Sequence, residues 1–294
     1  MTLNQIIDLL TKEQEQEQLF AQANGVRHRV LGNTLLGCII EFSNYCRNHC
    51  MYCGIRCDNS ELKRSRMKAD TIIEKALNAS KKGYKLIVLQ SGEDMYFSKE
   101  IISYIIHEIK KFGVFLVLSL GERTYEEYAA WREAGADGYL MRIETADQVL
   151  YRRLHPGMSW ERRLECLIAL KELGYKLCSG TLVGLPGQTI ESIANDIFFL
   201  NNIKADMVGI GPFIPHPATP LANEKGGDFY QTLRMMAIIR LIMENVPIIA
   251  TTSMEALYPN GREKALNSGA NVLLLSYTNT GIDYDLYPGM TKVV

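Results

Sequence analysis

Short apolar, β-branched runs alternate along the chain with amphipathic stretches of helical period. The runs lie at residues 36–42, 85–90, 114–120, 138–143, 177–183, 207–211, 247–251 and 271–275. Their length and composition fit strands. Between them, stretches such as 69–82 and 99–112 repeat apolar positions every three or four residues, as a helix with one buried face does. Residues 3–24 also read as helix. Gly83, Gly113, Gly174 and Gly269 each fall between a helical pattern and the next strand, where a left-handed C-cap is needed. The pattern amounts to eight β-then-α units. Right-handed crossovers make the sheet parallel, and eight units are enough to close it. The expected fold class is α/β, a complete (βα)8 TIM-type barrel over residues 34–294 with an N-terminal helical segment over residues 1–33. A doubly wound open sheet is the alternative.

In such barrels chemistry sits at the C-terminal ends of the strands, and the polar residues follow that rule. Successive runs lead into Glu41–Cys46, Gln90–Asp94, Ser119–Glu122, Arg142–Thr145, Gly184–Gln188, Gly211–His216 and Thr251–Ser253.

Composition adds exclusions. A formal net charge of −1 gives no basic field for nucleic acid or an anionic membrane. The start of the chain, acidic and Gln-rich after one short apolar stretch, reads as neither a secretory signal nor a spanning helix, so a cytoplasmic protein is expected. Of 7 cysteines, four fall at Cys46, Cys50, Cys53 and Cys57. Such clustering in a cytosolic protein favours metal over disulfides.

Cys46, Cys50 and Cys53 form a C-x3-C-x2-C loop after the first strand. Thiolates are soft ligands for Fe–S clusters, Zn or Cu(I). Three of them can hold three irons of a [4Fe-4S] cubane and leave the fourth open to chelation by the methionine end of S-adenosylmethionine. Cleavage of the adjacent C5′–S bond then yields a 5′-deoxyadenosyl radical. A zinc site would want a second C-x2-C pair, and a ferredoxin-like cluster would want Cys57 as fourth ligand. Cys38, Cys166 and Cys178 read as core residues. Arg142 and Glu144, two apart on a strand, should point to the same side at the barrel mouth, and Arg163 follows in the next helix.

The cysteine loop resembles that of the radical S-adenosylmethionine superfamily. The resemblance implies that Tyr52 packs against adenine, and that Ser91-Gly92-Glu93 stands where the superfamily holds the methionine ammonium. It adds Arg142 or Arg163 for the methionine carboxylate and Glu144 for the ribose, with Ser119 and the Leu185 turn as further cofactor contacts. The runs 41–46, 51–56, 89–94, 118–122, 183–189, 207–217 and 219–223 resemble, more narrowly, the [FeFe]-hydrogenase maturases of the HydE type, from about residue 30 to Gly289. Biotin synthase and methylornithine synthase are similar relatives. This likeness implies a substrate beneath S-adenosylmethionine, a cysteine-ligated iron carbonyl–cyanide unit, near Arg56, Thr251, Thr252, Tyr277 and Tyr284. It also implies other hydrogenase maturases and an electron donor such as ferredoxin or flavodoxin as partners. Two alternatives stand beside it. One is a mutase acting on a small amino-acid or thiol substrate, and the other is a non-catalytic Fe–S scaffold. The chain departs from the family in having no cysteine after Cys178, which argues against an accessory cluster, and in lacking a histidine between Arg142 and Glu144.

Overall fold

The computed structural model describes residues 1–277. Its eight strands are β1 (Leu35–Ser43), β2 (Leu86–Ser91), β3 (Phe115–Ser119), β4 (Gly138–Leu140), β5 (Lys176–Val183), β6 (Met207–Pro212), β7 (Ile248–Ala250) and β8 (Val272–Ser276). They are parallel and close into a barrel in sequence order, with β1 paired to both β2 and β8. That double pairing replaces the open-sheet alternative with a TIM-type barrel.

The helices between the strands form where the pattern places them. Helix α3 spans Ala69–Lys81 and α4 spans Lys99–Lys110. Ser98 caps α4 by accepting from the Ile101 N–H, and Ile102, Ile105, Ile106 and Ile109 make its buried face. Helices α5 (Tyr125–Glu133), α6 (Gln148–Leu154), α7 (Trp160–Glu172), α8 (Ile190–Asn202), α9 (Phe229–Ile242), α10 (Thr252–Leu257) and α11 (Gly261–Asn267) follow.

Two elements differ from expectation. The N-terminal segment is two helices rather than one, α1 (Leu3–Thr11) and α2 (Gln16–Leu31), joined by a 3-10 turn over Glu13–Glu15. After Leu10 no apolar residue appears until Leu19, so the buried stripe lapses and the backbone leaves the helix at Lys12. Leu10, Leu19, Phe20 and Ala23 then bury in the core that also holds residues of α8 and α9. Strand β4 is the second difference, and it stops at Leu140. The Met141 N–H donates to Cys178 O and the Glu144 N–H to Gly180 O, so three residues advance on one chain against two on the other. The extra residue is a bulge that re-aims the side chains of residues 142–144. Glu144 carries the strain, with φ at 64°.

Alternation along the strands sorts the barrel interior into levels. Ile39, Val88, Val117, Leu140, Cys178, Met207, Ile249, Val272 and Leu274 form an apolar floor. Two residues further up most of the strands stand Glu41, Gln90, Ser119, Arg142 and Thr251, with Gly180 and Gly209 on β5 and β6. The glycines let these strands approach closely: a Cβ on Gly180 would lie 1.8 Å from Gly209 O.

Gly180→Ala is therefore expected to lower stability by about 1–3 kcal/mol or more. Gly25→Ala, at an exposed site in α2 where a Cβ meets nothing within 4 Å, should instead raise it by about 0.5–1 kcal/mol. Thermal unfolding of the two variants checks both signs.

Candidate active site

The loop of residues 44–66 carries four of the cysteines at the mouth of the barrel, and its backbone is held by side chains from its two ends. Asn44 donates to Lys63 O and accepts from the Ser65 N–H. Arg64 reaches back into the loop and donates to the carbonyls of Asn44, Ile55 and Arg56. Ser43 donates to the Asp94 carboxylate at 2.6 Å, and Arg66 grips the same carboxylate at 2.6 and 2.9 Å. The Met51 N–H donates to Leu154 O at the end of α6.

Cys46, Cys50 and Cys53 are free and partly buried, while Cys57 is exposed with its N–H on Asn48 O. Burial pushes the Cys53 thiol up to about 12 and raises those of Cys46 and Cys50 as well. Such thiols stay neutral until a cationic centre replaces their protons. Among the described residues no three His, Cys, Asp or Glu side chains are grouped around one metal-ion position. A cubane differs in spreading its thiolates over separate irons. The donor set, three soft sulfurs in one loop with Cys53 at the rim of a cavity, fits a [4Fe-4S] cluster.

That cavity has a volume of about 350 Å³. Tyr52 and Cys53 line its upper part, and Ser119, Arg142, Glu144, Arg163, Thr251 and Thr252 line its walls. Arg142 donates to Thr181 O at 2.6 Å and lies 3.1 Å from the Glu144 carboxylate. The pair is a charge contact without hydrogen-bond alignment, which leaves Arg142 Nε and Glu144 Oε2 buried with no hydrogen-bond partner. Burial raises the Glu144 carboxyl, against the pull of Arg142 and Arg163. Arg163 from α7 donates to Glu122 at 2.7 Å and to Arg142 O at 2.6 Å, so it is a fixed cation on the wall. Orphaned polar atoms facing a polar cavity mark a place where a charged or polar ligand completes the hydrogen bonding.

Several expected contacts are elsewhere. Glu93 does not line the cavity. Its carboxylate accepts from Arg47 at 2.6 Å, Asn48 at 3.0 Å and the Glu122 N–H at 2.8 Å, and its own N–H points at Cys46 Sγ at 3.4 Å. The carboxylate thus fastens the cysteine loop to β2 and β3, where a methionine ammonium was expected. Gly92 serves the same junction, since a Cβ there would lie 2.2 Å from Tyr45 O and 2.8 Å from the Cys46 Cβ. Leu185 is buried in an apolar group with Leu150, Leu154 and Phe213, against which Met51 and Tyr52 pack. Arg56 pairs with Asp58 on the outer side of the loop. Tyr277 packs edge-on against Tyr84 with Lys82 over its ring, outside the cavity. Tyr284, and the neighbouring Tyr287, lie outside the described residues. Cys178 is buried, as expected of a core cysteine, and also lines the cavity.

Sequence reasoning passed over three residues. Glu41 and Gln90 line the cavity, and the alternation Gly37, Ile39, Glu41 on β1 was a sufficient signal. His155 had no local signal. It sits at the end of α6 and accepts a hydrogen bond from the Tyr52 hydroxyl at Nε2, 2.7 Å away, because its Nδ1–H is committed to Tyr151 O at 2.8 Å. This tautomer needs a neutral ring, and burial depresses its pKa to about 3.

The folded value lies below the unfolded one, so the contribution of His155 is full above pH 6.5 and is lost as pH falls toward about 3. Between about pH 7 and about pH 5 the wild type should lose about 2 kcal/mol that a His155→Gln variant does not. Parallel denaturant melts at the two pH values measure the difference.

The Radical SAM superfamily model matches residues 40–200. The [FeFe] hydrogenase maturase subunit HydE of Thermotoga maritima is 52% identical over 276 residues, covering 93% of this chain and 79% of the relative. The 3-methylornithine synthase of Methanosarcina acetivorans is 33% identical, covering 90% and 75%. The crystal structure of methylornithine synthase (PylB) superposes with a TM-score of 0.88 at 27% identity, covering 97% of this chain and 86% of that one. Biotin synthases follow, with that of Clostridium botulinum strain Langeland 26% identical over 90% of the chain. Barrel, cysteine loop and relatives agree, and the chain belongs to the radical SAM superfamily as a HydE-like enzyme.

Proposed function

We propose that this protein acts in assembly of the [FeFe]-hydrogenase H-cluster, on a cysteine-ligated iron carbonyl–cyanide precursor. The observation that carries the reading is the 52% identity to a HydE subunit along 93% of the chain. A bound [4Fe-4S] cluster with S-adenosylmethionine supplies the 5′-deoxyadenosyl radical. The chain's own residues do the rest. Cys46, Cys50 and Cys53 hold the cluster, and Tyr52, fixed by His155, offers its ring to adenine. Arg142 and Arg163 present cations to the methionine carboxylate, and the buried Glu144 carboxyl and Ser119 offer polar contacts to the ribose and amine. Below them Thr251 and Thr252 face the substrate chamber, whose apolar floor keeps water from a reactive intermediate. Ferredoxin or flavodoxin as electron source and the other maturases as partners belong to the same proposal. No helix among the described residues is long and apolar enough to cross a membrane.

One observation favours a second reading, a mutase of the methylornithine synthase kind. Glu41 lies on β1 and Arg142 beyond β4, so the cavity wall carries an anion and a cation on separated strands. In this reading Arg163 alone takes the methionine carboxylate, and Glu41 with Arg142 matches the two charges of an amino-acid substrate.

Two measurements test the proposal. Anaerobic reconstitution with iron counting and EPR should give one [4Fe-4S] cluster, retained in Cys57→Ala and lost in Cys50→Ala. Loss of the cluster in Cys57→Ala would overturn the three-cysteine site. Added to a hydrogenase maturation mixture lacking its HydE-type component, the protein should restore hydrogen evolution. No restoration from a cluster-loaded protein that turns over lysine would favour the mutase. A loaded protein that never cleaves S-adenosylmethionine would be a scaffold.

A further inference from the structure

Charge is distributed unevenly along this chain. Residues 45–68 hold Arg47, Arg56, Lys63, Arg64, Arg66 and Lys68 against Asp58 and Glu61, a net of +4 in a chain of net −1, which leaves −5 elsewhere. Counting the buried Glu93 and Asp94 with this segment still leaves it at +2. Arg47, Lys63, Arg66 and Lys68 are exposed.

Beside these cations, Met95 and Tyr96 are 50% and 62% exposed. The Arg66 guanidinium lies 3.6 Å from the centre of the Tyr45 ring and 4.8 Å from that of Tyr96. A shallow pocket of about 240 Å³ next to them is lined by Arg47, Met95, Arg123 and Arg162 together with Glu122 and Glu127, so the excess of positive charge lies on Lys63, Arg66 and Lys68 rather than in the pocket. Aromatic rings, Met and Arg together are the composition of interface anchors. Two of the arginines are also held still. Glu93 fixes Arg47 and Asp94 fixes Arg66, with side-chain exposures of 3% and 2% for the two carboxylates. A cation already ordered loses little entropy when a partner arrives. The surface adjoins the cysteine site: Tyr45 and Arg47 flank Cys46, whose Sγ accepts from the Glu93 N–H.

We propose that this face, centred on Arg47, Arg66, Met95 and Tyr96, docks a small acidic electron-carrier protein that reduces the cluster. It rests on the reading of Cys46, Cys50 and Cys53 as cluster ligands. The carrier gives up one electron and the cluster gains it, with no bond made or broken. Positive charge on the rim steers an acidic partner, and the exposed Tyr96 is joined through Arg66 to Tyr45, the residue before Cys46.

The test uses the full chain, anaerobically reconstituted, with iron counted before each run. Reduced flavodoxin is the probe in stopped flow, and oxidised flavodoxin in calorimetry. Lys63→Glu/Lys68→Glu should slow reduction by flavodoxin about tenfold or more and weaken binding in parallel. Reduction by dithionite should be unchanged, and the wild-type rate should fall as salt rises. Lys81→Glu, an exposed charge at the far end of α3, should behave as wild type. Equal rates for wild type and the double variant, a salt-independent rate, or an equal loss in Lys81→Glu would each overturn the docking site. If no cluster loads in the wild type, the ligand reading fails instead, and calorimetry on the metal-free chain still reports on docking.

Discussion

The rest of the site depends on one buried carboxylate. Glu93, at the end of the second strand, accepts from Arg47, Asn48 and the Glu122 N–H while its own N–H meets Cys46 Sγ. These contacts set the height of the cysteine loop over the barrel. Surface ion pairs contribute little to stability, and this one differs because its acid is 3% exposed. Removing Arg47 would leave the buried carboxylate with the Asn48 amide and the Glu122 N–H as its donors, a charge only partly compensated. Neighbouring Asp94 repeats the arrangement with Ser43 and Arg66. A loop without regular secondary structure is thereby positioned nearly as rigidly as a strand, which a ligand set for a cluster requires.

Barrel closure supplies the complementary constraint. Strands buried on both faces leave room for polar side chains at the mouth alone, and the interior passes from an apolar floor to a polar wall within two residues along most strands. Arg142, Glu144 and Arg163 sit at that boundary, where low dielectric strengthens each interaction and makes an unpaired group costly. The β4 bulge places two of them there. A regular strand continued from the Leu140–Cys178 register would bring residue 143, an isoleucine, opposite Thr181 in place of Glu144. The strained φ of Glu144 is consistent with a position fixed by its surroundings rather than by its own preference.

The barrel was legible because each strand repeats one signal, an apolar run between helical patterns, and eight repeats reinforce one another. The cysteine loop was legible because its spacing is local. What was not legible depends on contacts distant in sequence. His155 meets Tyr52 across 103 positions, and nothing near it signals that role. Glu93 was expected to face the cofactor, since a motif records which residue is present and not where its carboxylate points. The same limit sent Tyr277 to the cavity, whereas its ring packs on Tyr84. Glu41 is the opposite case: strand alternation alone turns it inward, and it was passed over because its neighbours belong to a more conspicuous loop.

Relatives with different names share this architecture, so the barrel cannot by itself assign a reaction. A HydE subunit at 52% identity and a 3-methylornithine synthase at 33% both align along nine-tenths of the chain or more. The difference must lie in the few side chains that meet the substrate. The wall of this cavity carries Glu41, Gln90, Arg142, Thr251 and Thr252. Thr252 accepts from Arg262, and Thr251 donates to Ile210 O or shares a hydrogen bond with Ser253. Both hydroxyls are therefore oriented before any ligand binds. A pre-oriented polar wall discriminates by leaving its groups unmatched when the wrong ligand enters, a penalty of about 1–3 kcal/mol for each buried group. Under the proposed function, selectivity is a property of the wall as a whole, built above a floor that contributes shape and dryness.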